Sequence, residues 1–310
     1  MENPVRPAQS GALRQIINTT LALLTLLVGL PVASVAHQPA TSPVFVGAGD
    51  IASCYHDADE ATALLLDEID GTVFTLGDNV YDSGAAGEFA ACYSPGWGRH
   101  LERTRPTPGN HDYETSGASG YFEYFGARAG DPARGYYSYN LGEWHIIALN
   151  TNCDEIEGCD YGSDQLAWLS ADLAANSAPC TLAYGHHPLF SSGGHGTSDL
   201  AQIWEVLHAH GVDVVLSGHD HTYERFSPQD PAGSLDIAHG IRQFVVGTGG
   251  ARLYGFEEIL PNSEVRESQS YGVLMLTLHP ARYDWEFVPV PGADFTDRGS
   301  TDCHERRVTG

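Results

Sequence analysis

The sequence contains no lysine, and its 15 cationic side chains are all arginine. They are outnumbered by 40 aspartates and glutamates, so the 310-residue chain has a formal net charge of −25 at pH 7 with histidine neutral. Binding to nucleic acid requires a basic surface, and this composition argues against one. Residues 37–310 contain no charge block, internal repeat or low-complexity linker, which indicates one domain there.

Long hydrophobic runs are absent after residue 36. Residues 1–36 have the pattern of a secretory signal peptide: two arginines, an apolar run at residues 21–28 and small residues at 34–36. A membrane anchor is the alternative, but polar residues, Gly29 and Pro31 interrupt the run. We therefore expect cleavage and a secreted protein, extracellular or periplasmic, without a stable membrane anchor.

The six cysteines are even in number and lack C-x-x-C spacing, which disfavours a cysteine metal site. In an exported chain they predict three disulfides. Cys153 and Cys159, joined by a short polar loop, are the expected pair, and the sequence leaves the other pairings open.

Apolar runs alternate with helical patterns, which predicts an α/β or layered α+β fold. Strands are predicted at residues 43–49, 72–76, 136–140, 144–150, 180–184, 212–216, 242–246, 271–278 and 283–288, and helices at 60–69, 165–173 and 200–210. The first helix is expected to bury Leu64, Leu65 and Ile69. The second is expected to bury the stripe of Leu166, Leu169 and Leu173.

Five polar clusters follow predicted strands or a loop, and each has a glycine just before its first polar donor. They are Gly49-Asp50, Gly77-Asp78-Asn79-Val80-Tyr81, Gly109-Asn110-His111-Asp112, Gly185-His186-His187-Pro188 and Gly218-His219-Asp220-His221. Groups at the carboxyl ends of strands converge on one crevice in open α/β sheets. A glycine is expected to let the backbone turn sharply there.

Carboxylates, imidazoles, an amide and a phenol suit hard to borderline metals such as iron, manganese and zinc. Each cluster alone is weak evidence for a metal site, since an Asp after a strand is usually a turn or capping residue. Together they supply the number of ligands that two metals with a bridging carboxylate require. The sequence therefore predicts a dinuclear metal site.

The order GD, GDxxY, GNHD, HxP and GHxH resembles that of the calcineurin-like metallophosphoesterases. Tyr81 and the extension Gly218-His219-Asp220-His221-Thr222-Tyr223-Glu224-Arg225 resemble the purple acid phosphatase branch of that superfamily. The resemblance spans about residues 44–225 and implies two central mixed β-sheets packed as a sandwich and flanked by helices.

The resemblance also implies a ligand for each position of the centre. The first metal is assigned Asp50, Tyr81 and His221, the second Asn110, His186 and His219, and Asp78 is the bridge. Many superfamily members have a histidine where this chain has Ala52, and Tyr81 is expected to replace that ligand. A phenolate ligand favours Fe(III), with a divalent Zn, Mn or Fe as the second ion. The alternative is that Tyr81 only packs beside the site.

This site predicts a secreted hydrolase of phosphomonoesters that uses in-line attack by a metal-activated water or hydroxide. His111 is a candidate for contacting a phosphate oxygen, and His111 or His195 for protonating the leaving group. The other interpretation of His195 is a mobile loop residue without a catalytic role. Small phosphorylated substrates are the expected partners, with no nucleic acid.

Two other functions stay open at this point. A phosphodiesterase or nucleotidase would use the same centre, and a non-catalytic metal-binding protein would keep the ligands without turnover. Glu224 and Arg225 are expected to form a structural ion pair. The aromatics at 113, 121, 122 and 124 either pack in the core or line the substrate crevice.

Overall fold

Two β-sheets pack face to face at the centre of residues 42–304, the part of the chain that the computed structural model describes. The first has the strand order β15-β14-β13-β1-β3-β5, in which β1, β3 and β5 are parallel and the other pairs antiparallel. Its strands are β1 (Val44–Ala48), β3 (Thr72–Thr75), β5 (Thr104–Arg105), β13 (Gly272–His279), β14 (Arg282–Pro289) and β15 (Arg298–Asp302).

The second sheet has the order β12-β10-β11-β9-β8-β7-β6, with a parallel centre from β11 to β7 and antiparallel edges. Its strands are β6 (Tyr137–Leu141), β7 (Trp144–Ala148), β8 (Cys180–Tyr184), β9 (Val214–Ser217), β10 (Tyr223–Phe226), β11 (Arg242–Val246) and β12 (Ser263–Glu267). A short parallel pair, β2 (Ala52–Ser53) and β4 (Val80–Tyr81), lies apart from both sheets.

Helices connect the strands of both sheets. The α-helices are α1 (Ala58–Glu68), α2 (Ala86–Glu88), α3 (Asn110–Glu114), α4 (Ser119–Phe125), α5 (Asp164–Ala175) and α6 (Ala201–Ala209). A π-helical turn spans Phe89–Tyr93, and 3₁₀ segments span Trp97–Arg103, Ser116–Ala118, Gly126–Ala129, Cys153–Glu155 and Ser198–Leu200.

The main core lies between the two sheets. Phe45 and Phe74 of the first sheet pack against Tyr184 of the second, with ring centroids of Phe45 and Tyr184 5.6 Å apart. A second apolar cluster lies between the other face of the second sheet and the helices α5 and α6. The expected sandwich of mixed sheets flanked by helices is confirmed.

The apolar face of α1 differs from the expectation at Leu64, whereas Leu65 and Ile69 are partly buried and pack against the core. Leu64 is 59% exposed, whereas Asp59, Thr62, Ala63 and Leu66 are buried. These four positions have the i, i+3, i+4, i+7 spacing of a helix face, and the face includes two polar residues that a search for apolar residues passes over. The stripe of three leucines in α5 is buried as expected.

Three disulfides join the six cysteines. The expected Cys153–Cys159 pair is present, and the pairings that the sequence left open are Cys54–Cys92 and Cys180–Cys303. The last of these closes a separation of 123 residues and joins β8 to the segment after β15. No fold pattern in the sequence brings those two positions together.

The expected signal peptide at residues 1–36 lies outside the described residues, and so does the start of the expected domain at residue 37. Both stay predictions. Between residues 42 and 304, no helix is long and apolar enough to cross a membrane.

Burial of the Asp59 carboxyl, which is 2% exposed, raises its pKa to about 7. Between the ordinary carboxyl pKa and about 7, the folded state holds a proton that the unfolded chain releases. The free energy of unfolding therefore decreases as the pH rises through that window. We expect Asp59→Asn to remove this loss and to raise the free energy of unfolding by on the order of 2 kcal/mol at about pH 8, with little effect at about pH 4.5.

The measurement is denaturant unfolding of both proteins at the two pH values. Glu68→Gln is the matched control, because Glu68 lies in the same helix but is exposed. A destabilisation by Asp59→Asn of the same size at both pH values would show that the buried carboxyl is ionised in the folded protein.

Candidate metal centre

Polar side chains follow the strands of both sheets at one edge of the sandwich. Asp50 lies two residues after the end of β1 and Asp78 three residues after the end of β3, while Asn110 follows β5 and begins α3. From the second sheet, His186 follows β8, and His219 and His221 follow β9. Backbone hydrogen bonds from Ile51 N to Asp78 O (2.9 Å) and from Gly218 N to His186 O (2.9 Å) join successive loops.

The first donor group consists of Asp50, Tyr81 and His221. The Tyr81 hydroxyl lies 3.0 Å from Asp50 Oδ1 and 3.1 Å from His221 Nε2. His221 Nε2 lies 3.4 Å from Asp50 Oδ1. The side-chain atoms of a carboxylate, a phenol and an imidazole thus converge on one point.

The second donor group consists of Asn110, His186 and His219. His186 Nε2 lies 3.0 Å from Asn110 Oδ1 and 3.1 Å from His219 Nδ1. The group lies beside the first, because the backbone N–H of His219 donates to Asp50 Oδ2 at 2.8 Å.

Asp78 lies between the two groups. Its Oδ2 accepts a hydrogen bond from the Tyr81 hydroxyl at 2.9 Å, and its Oδ1 lies 3.4 Å from His186 Nε2. One carboxylate thus presents a different oxygen to each donor group. Asp50 is 0% and Asp78 2% exposed, so two carboxylates are buried next to each other.

The orientations of two imidazoles fit a bound cation. His186 Nδ1 lies 2.7 Å from the carbonyl oxygen of Leu76, and His221 Nδ1 lies 2.9 Å from that of Arg252. A carbonyl oxygen only accepts, so each Nδ1 holds a proton. Each Nε2 is turned toward the carboxylates, where it would offer its lone pair to a metal or hold a second proton in the metal-free protein. Nitrogen and oxygen lone pairs that face each other at about 3 Å repel unless a positive charge lies among them. The residues therefore fit a metal centre.

The pKa values of the site residues reflect the same interactions between the buried carboxylates and the imidazoles. Burial opposes protonation of His186, but the carboxylates of Asp78 and Asp50 and the carbonyl oxygen of Leu76 together outweigh burial and raise the pKa of His186 to about 9. Burial and the neighbouring His186 lower the pKa of His219 to about 3. Burial and the carboxylates of Asp50 and Asp78 raise the pKa of Tyr81 well above its ordinary value. Only added positive charge would bring that phenol toward ionisation.

Three of these residues have a left-handed backbone, with φ of 58° at Asp50, 46° at Asp78 and 70° at His219. Conformations of this kind are costly for residues other than glycine and persist where the surroundings enforce them. Sharp backbone bends were expected at the glycines that precede the donor residues, but they occur largely at the donor residues themselves. Among those glycines, only Gly77 has a positive φ, of 75°.

The glycines are needed mainly because the backbones lie so close together. A Cβ on Gly109 would lie 2.2 Å from Asp78 N, and one on Gly218 would lie 2.6 Å from Asp50 Oδ2. The expectation that each glycine provides a sharp turn is therefore wrong for most of them. Their lack of a side chain lets the loops approach.

Asp112 holds two of these loops together, a role that the sequence did not indicate. Its Oδ2 accepts from Asn79 Nδ2 and Gly109 N, both at 2.9 Å. The backbone N–H of His111 donates to Asp78 Oδ1 at 2.8 Å. The GNHD segment thus orients Asp78 through the backbone N–H of His111 and the adjoining Asn79 through the carboxylate of Asp112.

The two histidines predicted to act on substrate lie at the rim of the centre. His111 Nδ1 is 2.6 Å from the carbonyl oxygen of Asp82, and its ring centroid is 4.5 Å from that of Tyr81. The His195 side chain is half exposed, and its ring centroid is 5.6 Å from that of His219. Both therefore have a ring edge that is not held by the fold.

His195 is held by a residue that the sequence analysis passed over. Its Nδ1 lies 2.5 Å from Oδ1 of the fully buried Asp220, which also accepts from the Tyr254 hydroxyl at 3.0 Å and from Ser191 Oγ. Asp220 sits between the two histidines of the GHxH motif. The sign of this role in the sequence is the position of Asp220 between two candidate metal ligands, His219 and His221.

Glu224 and Arg225 do not form the expected ion pair. Neighbouring residues of a strand point to opposite faces: Arg225 Nε donates to Asp297 Oδ2 at 2.7 Å, and Glu224 Oε2 accepts from Ser192 N at 2.8 Å. The prediction of a structural role holds with different partners. Glu224 anchors the loop that contains His195.

The sequence profile of the calcineurin-like phosphoesterase family matches residues 44–223. The chain is 29% identical to purple acid phosphatase 21 of Arabidopsis thaliana over 319 aligned positions, which cover 88% of this chain and 68% of that protein. It is 31% identical to purple acid phosphatase 22 of the same plant over 277 positions, covering 78% and 59%.

Among solved structures, a purple acid phosphatase from yellow lupin (Lupinus luteus) seeds is similar in fold. The TM-score is 0.67 at 19% sequence identity, and the match covers 85% of this chain and 54% of that one. The chain thus spans roughly half to two thirds of the length of these proteins.

The close approach at Gly109 can be tested by adding one methyl group. Because the Cβ in Gly109→Ala would lie 2.2 Å from Asp78 N, the loop must shift and move the Asp78 carboxylate. We expect the free energy of unfolding to fall by about 1–3 kcal/mol and the bound metal content to fall with it. Thermal unfolding and elemental analysis of the purified variant measure both.

Gly87→Ala is the matched control. A Cβ at Gly87, in α2, has no heavy atom within 4 Å, so no loss of stability or metal is expected there. Wild-type stability and metal content in Gly109→Ala would mean that the loops at Asp78 tolerate a wider separation than the structure has.

Proposed function

The chain belongs to the calcineurin-like phosphoesterase family, and from this membership we propose that it hydrolyses phosphomonoesters at a centre of two metal ions. The main support is the position of Asp78, whose two carboxylate oxygens face two different donor groups. A bridging carboxylate between two metals requires that arrangement.

In this proposal each donor group holds one metal. Asp50, Tyr81 and His221 would hold the first, Asn110, His186 and His219 would hold the second, and Asp78 would be shared between them. Tyr81, a phenol with a raised pKa between two carboxylates, becomes a ligand only for a strongly charged ion. Fe(III) is therefore proposed at the first site, and a divalent Zn, Mn or Fe at the second.

When bound, the two metals neutralise charge on the phosphoryl oxygens and activate a water for in-line attack on phosphorus. The chain's own residues orient the ester. His111 Nδ1 donates to the carbonyl oxygen of Asp82, which leaves Nε2 to face a phosphoryl oxygen. His111 thereby fixes the ester beside Tyr81 and Asp78.

His195 is proposed as the general acid. Asp220 accepts the Nδ1 proton, so the Nε2 proton of the imidazolium is the one available to the leaving oxygen. Asp220 is a positioning residue, and Ser191 and Tyr254 hold it in turn.

We also propose that the protein is exported after removal of residues 1–36. Three disulfides support an oxidising compartment. The domain would then run from residue 37 to residue 310.

The test of the proposed function combines metal analysis with turnover of p-nitrophenyl phosphate. The wild type is expected to contain about two metals per chain including iron. Asp78→Asn is expected to lose metal and to reduce kcat by about 10⁴-fold or more. Turnover unaffected by Asp78→Asn would contradict the proposed centre, and preference for diesters such as bis(p-nitrophenyl) phosphate would assign the centre to a phosphodiesterase.

The same experiment with Tyr81→Phe tests whether Tyr81 is a metal ligand or only packs beside the metal site. A phenolate bound to Fe(III) absorbs visible light, so the wild type is expected to be coloured and the variant to lose the band. An unchanged band in Tyr81→Phe would mean that Tyr81 only packs beside the site.

The role of His195 is tested with esters of different leaving groups. We expect His195→Ala to reduce kcat for an alkyl phosphate by about 10²–10⁴-fold and to affect p-nitrophenyl phosphate much less, because p-nitrophenolate leaves without a proton. Asp220→Asn is expected to have a weaker effect with the same dependence on leaving group. That dependence separates a role in proton transfer from loss of folding.

His208→Asn is the matched control, because His208 forms a similar pair with Asp236, at 3.4 Å, that the proposed mechanism does not use. It is expected to leave both substrates unaffected. Equal losses for both esters in His195→Ala would argue against proton donation to the leaving group.

A further inference from the structure

His187 belongs to one of the five polar clusters, but the proposed mechanism gives it no role. It is partly buried beside the second donor group, with its ring centroid 4.4 Å from that of His219 and 4.8 Å from that of His186. One of its ring nitrogens lies within 4.8 Å of a ring nitrogen of each neighbour. This position suits either a further metal ligand or a group that contacts substrate.

The hydroxyl of Thr151 determines which ring nitrogen of His187 is protonated. Thr151 Oγ1 accepts hydrogen bonds from the backbone N–H groups of His186, at 3.1 Å, and of His187, at 2.9 Å. A hydroxyl oxygen has two lone pairs, so its own hydrogen is what remains for His187 Nδ1, 3.0 Å away. Nδ1 therefore accepts, and the neutral ring has its proton on Nε2.

This tautomer decides between the two roles. A histidine binds a metal through a nitrogen lone pair. In His187 the lone pair of Nδ1 is used by the Thr151 hydroxyl, and Nε2 holds the proton. The residue is therefore arranged as a hydrogen-bond donor next to the second donor group, and not as a metal ligand.

The Nε2–H group of His187 is available to a ligand. Among the described residues it has no hydrogen-bond partner, and it reaches solvent. His187 and Asn110 line the same cavity of about 260 Å³. The amide Nδ2 of Asn110 likewise donates to none of the described residues. Two N–H groups at this cavity are thus open to an acceptor oxygen that enters it.

His187 occupies the same place at the second donor group that His111 occupies at the first. The His111 ring centroid is 4.5 Å from that of Tyr81, and the His187 ring centroid is 4.4 Å from that of His219. In each ring the fold holds Nδ1 and leaves Nε2 free. A phosphoryl group that lies across both donor groups has an oxygen for each ring.

We infer that His187 binds substrate by donating its Nε2–H to a phosphoryl oxygen at the second donor group. The inference rests on the proposed phosphatase function and adds a residue to its substrate site. Thr151 is the positioning residue that sets the tautomer. Because every phosphomonoester has the phosphoryl group, the contribution of His187 is independent of the leaving group, unlike that of His195.

Binding of inorganic phosphate to the metal-loaded protein tests this contact without turnover. His187→Ala loses a hydrogen bond to a charged oxygen, so the Kd for phosphate, measured by calorimetry, is expected to rise by about 10–100-fold. His187→Gln, whose side-chain amide can place an N–H near the position of Nε2, is expected to regain most of this affinity. Elemental analysis is expected to find wild-type metal content in both variants.

Turnover supplies the second measurement. In His187→Ala, kcat/KM is expected to fall by the same factor for p-nitrophenyl phosphate and for an alkyl phosphate. His210→Ala is the matched control, because His210 is exposed at the end of α6 and its side chain makes no hydrogen bond with the described residues. It is expected to leave phosphate binding, metal content and turnover unaffected.

Unchanged phosphate affinity in His187→Ala would overturn the inference, and so would a loss of metal from that variant. Equal affinities of the Ala and Gln variants would mean that the ring acts only by packing against His219. A loss confined to one ester would place the contact at the leaving group instead. Failure of the proposed function has a different result: the wild type then hydrolyses neither ester, and phosphate binding still decides whether His187 contacts the anion.

Discussion

The structure of the site depends on two carboxylates, Asp50 and Asp78, buried side by side. Removing an ionised carboxylate from water costs several kcal/mol unless positive charge or hydrogen bonds compensate. Backbone N–H groups of His111 and His219 and the Tyr81 hydroxyl provide part of this compensation. The facing imidazole nitrogens provide more only if a proton or a cation accompanies them. The surrounding loops therefore form a cage whose negative charge a bound metal would balance.

The two sheets contribute different chemistry to that cage. Oxygen donors follow β1, β3 and β5 of the first sheet, and imidazoles follow β8 and β9 of the second. The packing of Phe45 and Phe74 against Tyr184 sets the distance between the sheets below the site. Because interiors are close-packed, a change in this core would move the oxygen donors relative to the nitrogen donors. The packing of the apolar core therefore determines the relative positions of the side chains at the candidate metal centre.

The sequence predicted the features that local pattern determines. Central strands such as β8 are short apolar runs, and all five residues of β8 are buried. The edge strand β15, Arg298–Asp302, was missed because its residues are polar. Within the site, the residues that meet at the centre could be predicted because they follow strands in a recognisable order. Asp220 and Asp112 were missed because their partners lie 25 and 33 residues away, and only the folded chain brings them together.

The net charge of −25 and the absence of lysine bear on how an anionic ester reaches this site. The surface as a whole repels a phosphate, although salt screens that repulsion beyond about 8–10 Å. Attraction must therefore act at short range, from the imidazoles inside the cage and from a metal that they would hold. With long-range steering of anions absent, discrimination between esters falls to the groups that touch the leaving alcohol.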